Sequence, residues 1–264
     1  MDKASKKYWD DMWSEGHLPQ VLNPQERGLN NYVQRQFHEY FVQVFQSIET
    51  RGKTLLEIGC ARSTTLPYFA KEFGFEVSGV DYSEIGCQVA RTILEKENVQ
   101  GHVYCENFFM PTNILKEHFD VIVSFGVVEH FDDTTKCISA FCNFLKPGGL
   151  MITNIPNLSG MLGSFQKILD REIYDIHIPL NREELKFAHE ICGLEMISCD
   201  YFMILNLSVL NIEKQKDKLW YTPMVRLRSW ISKSIWLMES IVPIFPTNRF
   251  TSPYISCVAR KPCA

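Results

Sequence analysis

The chain has 264 residues, of which 45% are hydrophobic and 22% charged, with a formal net charge of −4. That composition supports one large folded domain or two small ones, and it excludes a disordered chain, a collagen-like repeat and a disulfide mini-scaffold. The acidic balance argues against nucleic acid as the main partner.

Residues 5–15 read as a short aromatic helix and residues 25–48 as one amphipathic helix. Short β-rich runs then alternate with helical patterns. Strands are predicted at 54–58, 76–80, 102–105, 119–124 and 150–154, with helices at 64–73, 83–97 and 133–145. Ser83 is the expected N-cap of the second of these helices. Leu145-Lys-Pro-Gly-Gly149 reads as a tight structural turn feeding the fifth strand. A helix over 181–192 has clear ends: Asn181 as N-cap, Glu184 at the third helical position and Gly193 beyond its end. Strands at 194–199 and 254–259 bring the count to seven. Strands alternating with helices predict parallel pairing through right-handed crossovers, hence an α/β, Rossmann-like, doubly wound sheet with helices on both faces. The expected division is a helical lid (1–48), a cofactor-binding core (49–204), a helical cap insertion (205–250) and the last strand of the core (251–264).

The nine cysteines include no C-x-x-C pair and no Cys/His cluster with metal-ligand spacing, so no metal site is expected. With no apolar signal core behind the first residues and no long uncharged apolar run, the chain reads as a reduced, cytoplasmic protein with buried thiols.

The sharpest segment is Leu55-Leu-Glu-Ile-Gly-Cys-Ala-Arg-Ser63, a strand entering a small-residue turn that opens a helix. Such a turn lets a ligand approach the backbone. Counting from Gly59, the later glycine positions of a dinucleotide fingerprint hold Ala61 and Thr64, so a pyrophosphate is disfavoured. Glu57 would repel a pyrophosphate and suits a ligand with a cationic amino group. Asp81 lies 22 residues after Gly59, at the tip of the second strand, where an acid can accept both hydroxyls of a ribose. A ribose beside a cationic amino acid points to S-adenosylmethionine. Asn107 and Phe108, after the third strand, are placed to meet an adenine.

Taken in order, Glu57-Ile-Gly-Cys-Ala-Arg-Ser63, Gly79-Val-Asp81, Phe119-Asp-Val-Ile122, Val128-Glu-His130 and Leu145-Lys-Pro-Gly-Gly149 resemble the class I S-adenosylmethionine-dependent methyltransferases over roughly residues 50–200. The resemblance implies a seven-stranded sheet with an antiparallel last strand. It implies that Glu57, Gly59 and Ala61, with Ser63 in the same turn, line the methionine end of the cofactor. Asp81, with Tyr82 beside it, would hold the ribose, Asn107 and Phe108 the adenine, and Phe125 would lie near the sulfonium. Ala61 and Ser63 replace two of the family's motif glycines; both are small.

Methyl transfer from a sulfonium needs positioning, desolvation and, for a hydroxyl acceptor, a base. His130, just beyond the fourth strand, and His177, after the fifth, are the candidate catalytic residues; His189 reads as structural. His17, His38, His102 and His118 have no context that raises them. In the N-terminal helix Tyr8 and Trp13, with Trp9 and Met12, would close an aromatic lid over the cofactor, and Arg27 would reach its carboxylate. In the insertion, Leu227, Ile231, Ile235, Met238 and Val242 recur at helical spacing, and Pro243 ends the run. The favoured reading is a substrate cap. A membrane-surface helix over 226–242 and a dimer interface are the alternatives.

The expected function is methyl transfer from S-adenosylmethionine to an O or N atom of a small molecule, a sugar or a natural-product scaffold. A lipid-linked or protein acceptor is the alternative within the class, and a non-catalytic cofactor-binding subunit the alternative outside it.

Overall fold

A computed structural model describes residues 2–14, 18–242 and 246–263. His17 and Pro243 therefore lie outside the described residues. The chain opens with α1 (Lys6–Ser14), a 3₁₀ turn (Leu29–Asn31) and α2 (Tyr32–Phe45). The single helix expected over 25–48 is thus shorter. Gly28 breaks it at φ 104°, and the Asn31 side chain donates to the carbonyls of Asn23 and Glu26, closing a non-helical loop before α2.

The core follows as β1 (Thr54–Ile58), α3 (Thr65–Phe73), β2 (Glu76–Asp81), α4 (Glu84–Lys96), β3 (Gly101–Cys105), β4 (Phe119–Phe125), α5 (Thr134–Cys142) and β5 (Leu145–Pro156). Ser83 caps α4 by accepting from the Gly86 N–H at 3.0 Å. The Leu145–Gly149 stretch, expected as a turn, belongs to β5. Leu145 pairs with Phe119, and Gly148 and Gly149 exchange hydrogen bonds with Lys261. Two helices absent from the sequence reading, α6 (Met161–Leu169) and α7 (Arg171–Asp175), fill the connection to α8 (Arg182–Ile191). Asn181 and Glu184 form the expected capping box on α8, and Gly193 takes the left-handed conformation beyond it.

The chain ends with β6 (Glu195–Phe202), α9 (Tyr221–Ile241) and β7 (Tyr254–Arg260). The seven strands lie in the order β3-β2-β1-β4-β5-β7-β6, with β7 antiparallel to both neighbours. The Rossmann-like doubly wound sheet and its antiparallel last strand are as expected. Buried side chains form one cluster on each face of the sheet, built around Phe141, Phe144 and Leu185 on one side and Phe41, Phe45 and Phe69 on the other. The second face is covered by α2 and α3, whose rings meet edge to face, as for Phe41 and Phe69 at 5.0 Å.

Cys199 of β6 and Cys257 of β7 are register partners and form a disulfide. The expectation that every cysteine is a thiol fails for this pair, because the strand register, which spacing does not reveal, sets them face to face. The other seven are free.

α9 packs through a face rotated from the one expected. Trp236 is buried, stacks on Tyr32 at 5.1 Å and donates its indole N–H to the Leu205 carbonyl at 2.7 Å. Ser232 accepts from the Leu207 N–H. Ile231 and Ile235 pack inward as expected, whereas Leu227, Met238 and Val242 are about half exposed. The polar anchor of Trp236 and Ser232 sets the rotation. No described helix is long and apolar enough to cross a membrane.

Candidate functional site

Ligands in open α/β sheets bind at the carboxyl ends of the parallel strands. Here the ends of β1, β2 and β4 surround a cavity of about 300 Å³. Trp13, Glu57, Gly59, Ala61, Ser63, Asp81, Tyr82, Phe108, Phe125 and His130 all line it. Ten of the residues singled out in the sequence, scattered over some 120 positions, therefore meet in one place.

Glu57 is buried at the end of β1. Its Oε2 accepts from the Ser63 hydroxyl at 2.5 Å and the Thr65 hydroxyl at 2.6 Å. Burial pushes its carboxyl up to about 7, with the two hydroxyls opposing. Asp81 accepts from the N–H groups of Ala61 and Ser83 at 3.2 and 2.7 Å, which ties the tip of β2 to the β1 turn. Burial raises it to about 6. Two glycines make the room. Gly59 has φ 80°, and a Cβ there would lie 2.5 Å from Val127 Cγ2; a Cβ on Gly86 would lie 2.5 Å from that of Ala61. Gly59→Ala combines a left-handed backbone with an overlap and is expected to lower stability by about 2–4 kcal/mol. Urea unfolding would measure this; a wild-type midpoint would show that the turn relaxes freely.

α1 roofs the cavity. Trp9 and Trp13 stack at 5.7 Å, and Trp9 meets the His130 ring edge-on at 4.9 Å. Asp10 accepts from the Ser83 hydroxyl at 2.6 Å, and Lys6 pairs with Glu84 at 3.3 Å. Before it, Asp2 accepts from the Tyr82 hydroxyl, and the Lys3 N–H donates to the His130 carbonyl. None of the residues of α1 is buried, so these partly exposed ring, hydrogen-bond and ion-pair contacts are what hold it down.

Two further cavities adjoin. One shares Asp2, Tyr82, Phe108 and Phe131 with the first and adds Asn107. The Asn107 Oδ1 accepts from the Phe109 N–H, which holds the side chain in place and leaves its amide nitrogen to donate. The other, about 240 Å³, shares Trp9, Trp13 and His130 with the first and is completed by Tyr8, Met12, Gln166, His177 and Asn211. Tyr8, expected over the cofactor, thus belongs to this neighbouring cavity. Arg27 is exposed and lines none of these three cavities, because the loop before α2 carries it away.

His130 Nδ1 donates to the Ile176 carbonyl at 2.9 Å and His177 Nδ1 to the Ile173 carbonyl at 2.6 Å. Their rings lie 4.3 Å apart. Burial and the neighbouring His177 depress His130 to about 3; burial lowers His177 as well. Burial raises Glu129 to about 8, with its own backbone N–H opposing. His189 is structural, as expected: its Nδ1 donates to Leu185 and its Nε2 accepts from the Thr153 hydroxyl.

Sequence reasoning missed Asp2, Arg62 and Phe131 in the first cavity. Asp2 arrives through an isolated bridge to Phe131, a contact with no local signal. Arg62 had a signal: it sits inside the motif turn, at φ 55°.

The fold and the site define a class I, Rossmann-like binder of a nucleoside-bearing cofactor. Residues 29–198 match the family model described as a methyltransferase domain. A ubiquinone biosynthesis O-methyltransferase of Dinoroseobacter shibae is 29% identical over 208 residues, 74% of this chain and 80% of that one. Another, from Hydrogenovibrio crunogenus, is 31% identical over 56% of this chain, and the match spans 55% of that protein. An uncharacterized Haemophilus influenzae protein, 26% identical, is spanned over 61% of its length. Among solved structures, geranyl diphosphate C-methyltransferase from Streptomyces coelicolor is similar at TM-score 0.58 and 15% identity, covering 97% of this chain and 96% of that one. Phosphoethanolamine N-methyltransferase 2 of Haemonchus contortus, solved with S-adenosyl-L-methionine, gives 0.57 and 19%, covering 98% of this chain and 57% of that one. The chain belongs to the class I S-adenosylmethionine-dependent methyltransferase family. Its cofactor is S-adenosylmethionine.

The cavity suits that group: a buried carboxylate for an ammonium, a second carboxylate at the tip of the neighbouring strand, and glycines where a side chain would block the backbone. Carboxylate at Glu57 is the form an ammonium prefers. Affinity for S-adenosylhomocysteine is therefore expected to fall as pH drops below about 7 and to level off above it, by up to about tenfold per pH unit. Glu57→Gln would flatten the profile in calorimetry; an unchanged slope in that variant would assign the titration elsewhere.

Proposed function

We propose that the protein transfers a methyl group from S-adenosylmethionine to an oxygen of a small hydroxylated molecule, such as a sugar or a natural-product scaffold, held in the 240 Å³ cavity. A nitrogen acceptor in the same compounds is the next choice. The observation that carries this reading is the junction of the two cavities at Trp9, Trp13 and His130. A cofactor in one would meet an acceptor in the other beneath an aromatic roof.

Bound S-adenosylmethionine supplies an activated methyl group on a sulfonium. The chain's own residues supply the rest. Glu57, with Gly59, Ala61 and Ser63 beside it, receives the amino-acid end, Asp81 and Tyr82 the ribose, Phe108 and the amide of Asn107 the base, and Phe125 the region of the sulfonium. Trp9, Trp13 and Met12 exclude water and favour a cation at the junction. Because Nδ1 of His130 and of His177 donates to a carbonyl, Nε2 of each ring keeps a lone pair that can take the acceptor proton. Gln166 and Asn211 present polar groups from α6 and from the insertion. They also bind each other, through the Asn211 N–H to Gln166 Oε1 at 2.8 Å and Gln166 Nε2 to the Asn211 carbonyl at 2.9 Å. On this reading residues 1–48 contain the lid, 49–204 the cofactor-binding core, 205–250 an insertion whose first part caps the acceptor cavity, and 251–264 the closing strand.

A second reading has a lipid-linked acceptor. Leu227, Trp230, Leu237, Met238 and Ile241 leave an exposed apolar face on α9, and relatives are named for ubiquinone biosynthesis. One experiment separates the two: transfer of a labelled methyl group into a host-cell extract, partitioned between water and an organic solvent. Label in the aqueous small-molecule fraction supports the soluble acceptor. Label in the organic fraction moves the acceptor to a lipid and turns 226–242 into a membrane-docking helix. No label in either, with cofactor binding intact, would favour a non-catalytic subunit.

A further inference from the structure

Glu129 is 1% exposed, and neither of its carboxylate oxygens has a hydrogen-bond partner. A buried carboxylate left so costs several kcal/mol unless something answers it. Two histidines stand beside it. One ligand atom from each of Glu129, His130 and His177 lies within 4.8 Å of the other two. Both rings spend Nδ1 on a backbone carbonyl, of Ile176 and of Ile173. That bond fixes the tautomer with the lone pair on Nε2, the arrangement in which metal-ligating histidines are held by their outer partners. The two segments are also tied by the Ile178 N–H donating to the Glu129 carbonyl at 2.7 Å, so the three side chains do not depend on a flexible loop for their placement.

We propose that Glu129, His130 and His177 form a binding site for a divalent transition-metal ion at the boundary of the cofactor and acceptor cavities. Two imidazoles and one carboxylate suit zinc and its neighbours better than magnesium or calcium, which prefer all-oxygen sets. Three protein ligands leave a coordination position open. The edges of a tetrahedron with bonds near 2.0 Å are about 3.3 Å, so on binding the ligand atoms would draw together from a spacing that is now within 4.8 Å. His130 and His177 both line the acceptor cavity. The open position would therefore face an acceptor hydroxyl and polarise its oxygen, replacing proton uptake by the two Nε2 atoms, which the ion would occupy. That last role rests on the acceptor reading above; the site itself does not. The absence of any local ligand spacing explains why the sequence showed no metal: His177 comes from a different segment, 47 residues beyond His130.

The test uses the full chain, stripped with a chelator and titrated with zinc by calorimetry and with cobalt(II) by visible absorption. The expected result is uptake of one ion per chain with the d–d bands of low-coordinate cobalt. Glu129→Gln and His177→Ala, each checked for folding by circular dichroism, should each weaken uptake at least tenfold. If Glu129→Gln fails to fold, His177→Ala decides alone. No stoichiometric uptake by the wild type, or wild-type uptake by a folded variant, overturns the proposal. S-adenosylhomocysteine binding, measured on the same samples, shows separately whether the cofactor cavity is intact.

Discussion

Replacing His177 with alanine is expected to lower turnover about 10²- to 10⁴-fold while leaving the affinity for S-adenosylhomocysteine unchanged. The separation follows from position. His177 lines the cavity proposed for the acceptor and not the one proposed for the cofactor. It sits between α7 and α8, and its Nδ1 is committed to the Ile173 carbonyl. Alanine therefore removes the Nε2 lone pair without touching the β1 turn or the tip of β2. The measurement is kcat at saturating cofactor, with calorimetry on the same preparation. A wild-type rate would make His177 a bystander. A joint loss of rate and cofactor affinity would mean that the α7–α8 loop is a prop for the whole site. His130 is a poorer first target, because it borders both cavities and anchors the Ile176 carbonyl, so its removal mixes effects.

Asp81→Ala is expected to weaken S-adenosylhomocysteine binding by about 1–3 kcal/mol, roughly 5- to 150-fold. A ribose offering two hydroxyls to one carboxylate loses both acceptors at once. The same carboxylate accepts from Ala61 and Ser83, so the β1 turn and the start of α4 also lose a tie. Thermal unfolding of the unliganded variant separates these effects. A small change in midpoint with a large change in affinity assigns Asp81 to the ribose. Unchanged affinity shows that the ribose is held elsewhere, and Tyr82 and the Asp2 that accepts from it become the next groups to vary.

Much of this arrangement was legible in the sequence because it is local. Strands buried on both faces announce themselves as apolar runs, so the parallel β1, β2 and β4 and the antiparallel β7 fell where expected. Ser83 and Asn181 cap α4 and α8 through bonds to residues three positions on, which spacing alone reveals. Glu57 and Asp81 could be placed because strand ends are where a doubly wound sheet binds ligands. What failed to show was tertiary. Asp2 reaches the cofactor cavity by pairing with Phe131, and Trp9 reaches His130 by a ring contact across the molecule. The α9 face was misjudged because Trp236 and Ser232 find polar partners in residues 205–207, and hydropathy does not register a bond. The helices α6 and α7 were overlooked because they are short, nine and five residues, and give a periodic pattern few turns in which to recur. The Cys199–Cys257 bond depends on register between strands more than fifty residues apart.

The strand order has a consequence for assembly. β7 lies between β5 and β6, yet it is the last of the seven in the chain. Until it arrives, β6 has no neighbour to pair with, and β5 is an open edge. The half of the sheet that carries Glu57, Asp81 and the turn between them needs only β1 to β4 and can be complete by then. Loop closure across the insertion between β6 and β7 is thus expected to be the late event, with the disulfide forming only after it. The nascent protein would acquire its grip on the cofactor first and the outer strands of the sheet last, leaving β5 exposed to strangers in between.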